Sequence, residues 1–224
     1  MSVTLYVGGD AATVKRQRVA VLGPRMFSAA YGPKSRFLPA EVAQVRGMLD
    51  SGAFSDAPER RLYLSAALAR QLAWERNASR LWQAPFRSEA LVSYDRLIDE
   101  TWIDGKRHKR RWSLQDAESA VAETIEAAFF LAFHREALKP RQLVLSCQGV
   151  DHEQYTECAE AVLAFAERRD ILGLGGWCIL GRFTSWLPEF RLTVEEVVPR
   201  AAARGLKRIH IFGGGTVADI TSHF

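Results

Sequence analysis

One unit recurs along this chain: a short apolar run that ends in a polar residue or glycine, followed by a stretch with apolar residues at helical spacing. Gly47-Met48-Leu49 leads into Asp50-Ser51-Gly52, and Ala90-Leu91-Val92 leads into Ser93-Tyr94-Asp95. Gln142-Leu143-Val144-Leu145 leads into Ser146-Cys147-Gln148-Gly149, and Ile171-Leu172 into Gly173-Leu174-Gly175-Gly176. Such an alternation predicts strands buried on both faces, joined by helices, which is a parallel α/β sheet. Functional groups at successive strand ends favour a barrel over an open sheet, because barrel chemistry gathers where the strands end. With 224 residues, 48% of them hydrophobic, residues 1–224 suffice for one such domain.

Further runs extend the pattern. Val3 to Val7 reads as a first strand ending at Gly8-Gly9; Val19 to Leu22 and Met26 to Ala30 are two more candidates, and Lys207 to Phe212 enters Gly213-Gly214-Gly215. Pro39 suits a first helical turn, with Val42 and Val45 carrying a short helix. Asp56 and Pro58 are expected to open a longer helix to about Arg76, with Leu62, Ala66, Ala69 and Leu72 on one side and Asn77-Ala78-Ser79 as its end. Ser113 to Asp116 fits a capping box, followed by an apolar face of Val121, Ile125, Phe129, Ala132 and Phe133 that reads as core packing. Asp151 is a cap for a helix from about Glu153 to Arg168, with Ala159, Val162 and Phe165 inward, and Thr193 to Glu196 a cap for another, whose course Pro199 complicates.

Composition removes some classes. No apolar run reaches the ~18 residues of a membrane-spanning helix, and the N-terminus lacks the basic-then-apolar order of a signal peptide. Cys147, Cys158 and Cys178 are odd in number and lack zinc-type spacing, which suggests reduced core thiols and a cytoplasmic protein. No cofactor is expected: the glycines at 173–176 lack the dinucleotide fingerprint, and no phosphate-cradling GxxxxGK[ST] occurs. The net charge of +4 permits a nucleic-acid partner. The sharpest basic run, Lys106-Arg107-His108-Lys109-Arg110-Arg111, reads either as a solvated loop or as a phosphate-contacting patch, with Trp102 and Trp112 bracketing it as stacking surface.

Five segments, in order, resemble those of the tRNA-guanine transglycosylase superfamily. Leu49-Asp50-Ser51-Gly52-Ala53-Phe54 is similar to its Asp-Ser-Gly-Gly-Phe/Tyr motif, and Ser93-Tyr94-Asp95 to the strand end with its base-recognition aspartate. Ser146 to Gly149 resembles Val-Gln-Gly, Gly175-Gly176 resembles Gly-Gly-Leu, and His210 to Thr216 resembles His-Leu-Met-Gly-Val-Gly-Thr. The form of the first motif looks closer to the branch that inserts 7-deazaguanine into DNA.

The resemblance implies a (β/α)8 TIM barrel that exchanges guanine in DNA or tRNA for a 7-deazaguanine through a covalent glycosyl-aspartate intermediate. It implies Asp50 as the general acid/base and Asp95 as acceptor for the guanine N1–H and amine. Ser51, Gln148, Gly149 and the backbone of Gly175, Gly176 and Gly213 would line the remaining edge, and Phe54 and Phe212 would sandwich the ring. Lys106, Arg107, Lys109, Arg110 and Arg111 would hold nucleic-acid phosphates, and a homodimer or a partner subunit is a further expectation. The family's nucleophilic aspartate lies past Gly-x-Gly-Thr; here Asp219 is the only nearby carboxylate, in a setting that suggests a helix start. The zinc cluster of the tRNA enzymes is not found. The last strand–helix unit is therefore expected to be missing, and a non-catalytic base-binding subunit is the alternative function.

Overall fold

The protein is described from a computed structural model covering residues 7–8, 24–34, 37–56, 61–96, 98, 100–103, 106–109, 114–175 and 187–212; for 7–8, 54, 100–103, 106–109, 114 and 187–190 the description is of backbone alone. Seven parallel strands form one sheet in the order in which they occur along the chain. They are β1 (Val7–Gly8), β2 (Pro24–Ser28), β3 (Arg46–Asp50), β4 (Ala90–Val92), β7 (Gln142–Cys147), β8 (Ile171–Leu174) and β9 (Ile209–Ile211). Between β4 and β7 the chain makes a separate antiparallel hairpin of β5 (Glu100–Ile103) and β6 (Lys106–Lys109). The parallel strands curl into a half-barrel with helices, so the α/β class predicted from the repeated unit holds.

Among the described residues the helices are α1 (Pro39–Val42), α2 (Leu64–Trp82), α3 (Leu114–Phe133), α4 (Arg135–Leu138), α5 (His152–Leu163) and α6 (Leu187–Ala203). Alternation along each strand sorts its side chains into two layers. Leu49, Leu91, Leu143, Leu145, Leu172 and Leu174 join helix residues such as Trp74, Ala120, Ala159 and Val197 in the main core. Met48, Ala90, Val92, Val144 and Ile171 form a smaller cluster on the other face, with Met26 and Phe212 packed against it. The second layer is the inward one, since the helices lie with the first.

Several expected boundaries move. The run at Val19 to Leu22 lies outside the described residues, and the next strand starts at Pro24. Helix α2 starts at Leu64, not after Asp56, and runs past Asn77-Ala78-Ser79 to Trp82, where Gln83 takes a left-handed conformation (φ 52°). Burial overrides the local stop signal there. Ala78 is completely buried, and Ser79 Oγ turns back to donate to the Glu75 carbonyl at 2.9 Å. Trp82 at the helix end packs edge-on to Phe37 and Phe86, with ring centroids 4.9 and 4.8 Å apart, while Trp74 sits 5.0 Å from Phe27. The buried face is Ala67, Gln71, Trp74, Glu75, Ala78 and Trp82; Ala66 and Ala69, expected inside, are exposed.

In α3, Phe129 and Phe133 are 53% and 75% exposed, so they are not core as expected, whereas Ala128, Leu131 and Ala132 are buried. Helix α5 ends at Leu163, short of Arg168, but Asp151 caps it as anticipated, its carboxylate accepting from Gln154 N at 2.9 Å. Thr193 lies inside α6 and does not begin it. The basic run is no loop where it is described: Lys106–Lys109 forms β6, with Arg107 opposite Trp102. No described helix is long and apolar enough to cross a membrane.

Candidate active site at the strand C-termini

Two carboxylates emerge at the ends of neighbouring strands. Met48 points inward on β3, and by alternation so does Asp50, where the strand ends. Gly52 follows in the left-handed region (φ 84°), and a Cβ there would lie 2.6 Å from Ala30 N and 2.8 Å from Arg70 Nη2. Only glycine fits so tight a turn. The Gly52 N–H donates to Asp50 Oδ2 at 3.0 Å, and the Ser28 hydroxyl on β2 also bonds to the Asp50 carboxyl. Burial nonetheless raises the Asp50 pKa above the usual carboxylate value, against these bonds and the Arg70 charge.

Asp95 stands just past β4. Its pKa is pushed up to about 7, first by burial and then by the charge of Asp50, with Arg61 acting in the opposite sense. The two acids are therefore electrostatic neighbours at one sheet end. Asp95 Oδ2 also lies 3.5 Å from where a Gly175 side chain would begin, and Gln148 Cβ lies 4.0 Å from that point. Asp50, Asp95, Gln148 and Gly175 thus gather on adjoining strand ends, β3, β4, β7 and β8.

Helix α2 and the segment before it hold these ends in place. Arg70 donates to the Ser51 carbonyl at 2.5 Å and grips Asp56 through two bonds of 2.9 Å. Asp56 is thus a partner for Arg70 and no helix cap; it also accepts from Tyr94 OH at 2.7 Å. Arg61 donates to the Asp95 carbonyl at 3.2 and 3.3 Å while its guanidinium lies 4.9 Å from the Tyr94 ring centroid. The buried Gln71 amide bridges β3 and β4 near their ends, reaching Leu49 O at 3.0 Å and Val92 O at 2.9 Å. None of these four side chains stood out in the sequence. Arg61, Arg70 and Gln71 carry no motif, and Tyr94 was visible only as the middle of Ser93-Tyr94-Asp95.

Other expected site residues are deeply engaged within the fold. Gln148 is fully buried; its Nε2 donates to Thr124 Oγ1 at 2.7 Å and to the Arg96 carbonyl, and its Oε1 accepts from Ile98 N at 3.2 Å. It ties the segment after Asp95 to α3. Gly175 donates its N–H to Cys147 O and accepts from Tyr155 OH, both at 2.9 Å. A Cβ on Gly149 would fall 2.5 Å from Tyr155 N, so this glycine lets α5 approach. Ser51 is buried, its Oγ facing Ala53 N at 3.4 Å. Phe212 packs on the inward cluster and edge-on to His210, at 4.5 Å; burial lowers the His210 pKa to about 4 and keeps the ring neutral.

The Phe54 side chain, Gly176, Gly213, Arg110 and Arg111 lie outside the described residues. Lys106, Arg107 and Lys109 are placed by backbone only, on β6. Cys147 and Cys158 are buried free thiols raised by desolvation, Cys158 to about 12, in keeping with core roles. Among the described residues no group of His, Cys, Asp and Glu converges as a metal site.

No protein-family model and no curated protein matches this chain. Its chemistry has to be argued from the site itself.

Proposed function

We propose that the Asp50–Asp95 end of the sheet is the base-exchange site of a guanine transglycosylase acting on DNA or tRNA, within a barrel of the (β/α)8 kind. The observation that carries this reading is the pair of carboxyls at neighbouring strand ends, both raised by burial, with Asp95 lifted to about 7 beside Asp50 and against the bare backbone of Gly175. Buried carboxyls that hold protons more tightly than usual suit a reaction that must protonate a leaving purine and deprotonate an incoming one. The motif resemblance and the permissive charge of +4 support the same reading.

In the proposed reaction an enzyme carboxylate forms a bond to the sugar C1′ as the C1′–N9 bond breaks. The electron pair leaves on guanine, which takes a proton from Asp50. The incoming 7-deazaguanine returns a proton to Asp50 as its nitrogen bonds C1′ and releases the carboxylate. Asp95, which gives its proton to solvent as the base binds, accepts from the N–H edge of that base, which must leave its stack to enter. The nucleophile that the resemblance calls for falls past Thr216, outside the described residues.

Incubation with radiolabelled guanine and either DNA or tRNA tests the reading. Label should enter one polymer, and Asp50→Asn and Asp95→Asn should each lower incorporation by about 100-fold or more. Guanine binding without incorporation would indicate a base-binding subunit in place of an enzyme, and a chain that fails both to bind guanine and to incorporate it would overturn the proposal. If the β6 cations meet phosphates, replacing Lys106, Arg107 and Lys109 by Ala should weaken binding to all sequences alike and flatten its salt dependence.

A further inference from the structure

We infer that the Ser146 hydroxyl is the donor that reads the carbonyl edge of the bound purine, a role that rests on the base-exchange reading. Ser146 is 1% exposed, and its Oγ has no hydrogen-bond partner among the described residues. Native proteins seldom bury a hydroxyl without a partner, and one left in a candidate site points to a ligand atom. Alternation places Ser146 on the inward side of β7, two residues beyond Val144 in the inward cluster and in register with Gly173.

Its position is fixed, and the residue paired with it on the next strand carries no side chain. The Ser146 N–H donates to Ser93 Oγ at 2.9 Å, which anchors it to the strand end that carries Asp95. Opposite, Gly173 has no side chain; a Cβ there would lie 3.4 Å from Ser146 Cα and 2.8 Å from the Phe212 ring. The inward surface beside Ser146 is therefore bounded by bare backbone and the edge of an aromatic ring.

The need for a donor follows from what the neighbours have left. An ionised Asp95 can only accept, so it selects the N–H edge of a guanine-like ring. The adjoining carbonyl of that ring requires a donor. Both N–H bonds of Gln148 are committed to Arg96 O and Thr124 Oγ1, and the Gly175 N–H is committed to Cys147 O. Ser146 holds a donor that these bonds leave unspent.

The test uses the full chain, with calorimetric titration of guanine and of 2-aminopurine, which lacks the carbonyl and the N1–H but keeps the amine facing Asp95, each variant being compared with wild type on the same purine, and thermal melts without ligand. Ser146→Ala should weaken guanine binding about tenfold and leave 2-aminopurine within about twofold. Ser146→Thr, which keeps a hydroxyl, should recover part of the guanine affinity. The ligand-free melting temperature of Ser146→Ala should be unchanged or higher, since a buried hydroxyl without a partner is removed. Equal loss for both purines, or a lower melting temperature, would make the serine structural and overturn the inference. Unchanged guanine affinity in Ser146→Ala would overturn it while leaving the base-exchange reading intact. A wild-type chain that binds neither purine would overturn both.

Discussion

Asp95 carries a proton near neutral pH in the free site, and this sets two opposite pH trends. A carboxyl whose folded pKa is raised stabilises the fold relative to its ionised form at low pH, and that contribution is lost as pH rises through about 7. Asp95→Asn should therefore melt higher than wild type at pH 8 and much closer to it at pH 4, as a thermal scan at the two pH values would report. Binding runs the other way: a base that offers N–H donors needs the carboxylate, so guanine affinity should climb with pH up to about 7 and then level off. At Gly52, alanine would have to enter the left-handed region with its Cβ 2.6 Å from Ala30 N. A loss of about 1–3 kcal/mol in denaturant titration is expected for Gly52→Ala. The carboxylates and this glycine were legible in the sequence because they end apolar runs. Ser146 was quoted only as part of a motif, because nothing in a sequence tells a hydroxyl with a partner from one without.

At the scale of elements, α2 does most to shape the candidate site, and it was the helix whose ends and face were read least well. Of the residues expected on its apolar side, Leu62 and Leu72 pack against buried clusters but Ala66 and Ala69 are exposed, because two polar residues, Gln71 and Glu75, occupy its buried side. Those positions serve the sheet: from one amide, Gln71 donates to a carbonyl near the end of β3 and to the last of β4. Gln71→Leu removes both buried bonds and should cost about 1–3 kcal/mol by urea unfolding, with a larger fractional loss of activity as Asp50 and Asp95 shift apart. The strands β3, β4, β7 and β8 were found within a residue or two, since apolar runs with abrupt polar tips are the clearest local signal a buried parallel strand gives. The hairpin at β5 and β6 was not, because a basic run has no apolar alternation to mark it.

Across the whole molecule, stabilising and chemical groups occupy opposite ends of the sheet. Glu75 accepts from Ser88 N at 2.9 Å and from Arg141 Nε at 3.0 Å, and a second contact of 2.5 Å joins Arg141 Nη2 to its other oxygen. Ser88 and Arg141 lie two residues and one residue before β4 and β7, so the buried pair clamps the strand starts while Asp50 and Asp95 stand at the strand ends. Glu75→Ala should cost about 3–5 kcal/mol by stranding the Arg141 guanidinium, and it should alter the pH dependence of guanine binding little. Parallel α/β architecture follows from the chain's repeating rhythm, but this division of labour between ends depends on contacts far apart in sequence, such as residue 75 with 141.

Since β4 pairs directly with β7, the excursion through β5 and β6 contributes no rung to the central sheet. It is an appendage spliced into one strand-to-helix crossover, leaving from the same rim as Asp95. Its composition is thus free to diverge without redesign of the scaffold beneath it, and a chimaera carrying a different ribbon at 100–109 should keep the fold of the central sheet, as a thermal melt would report.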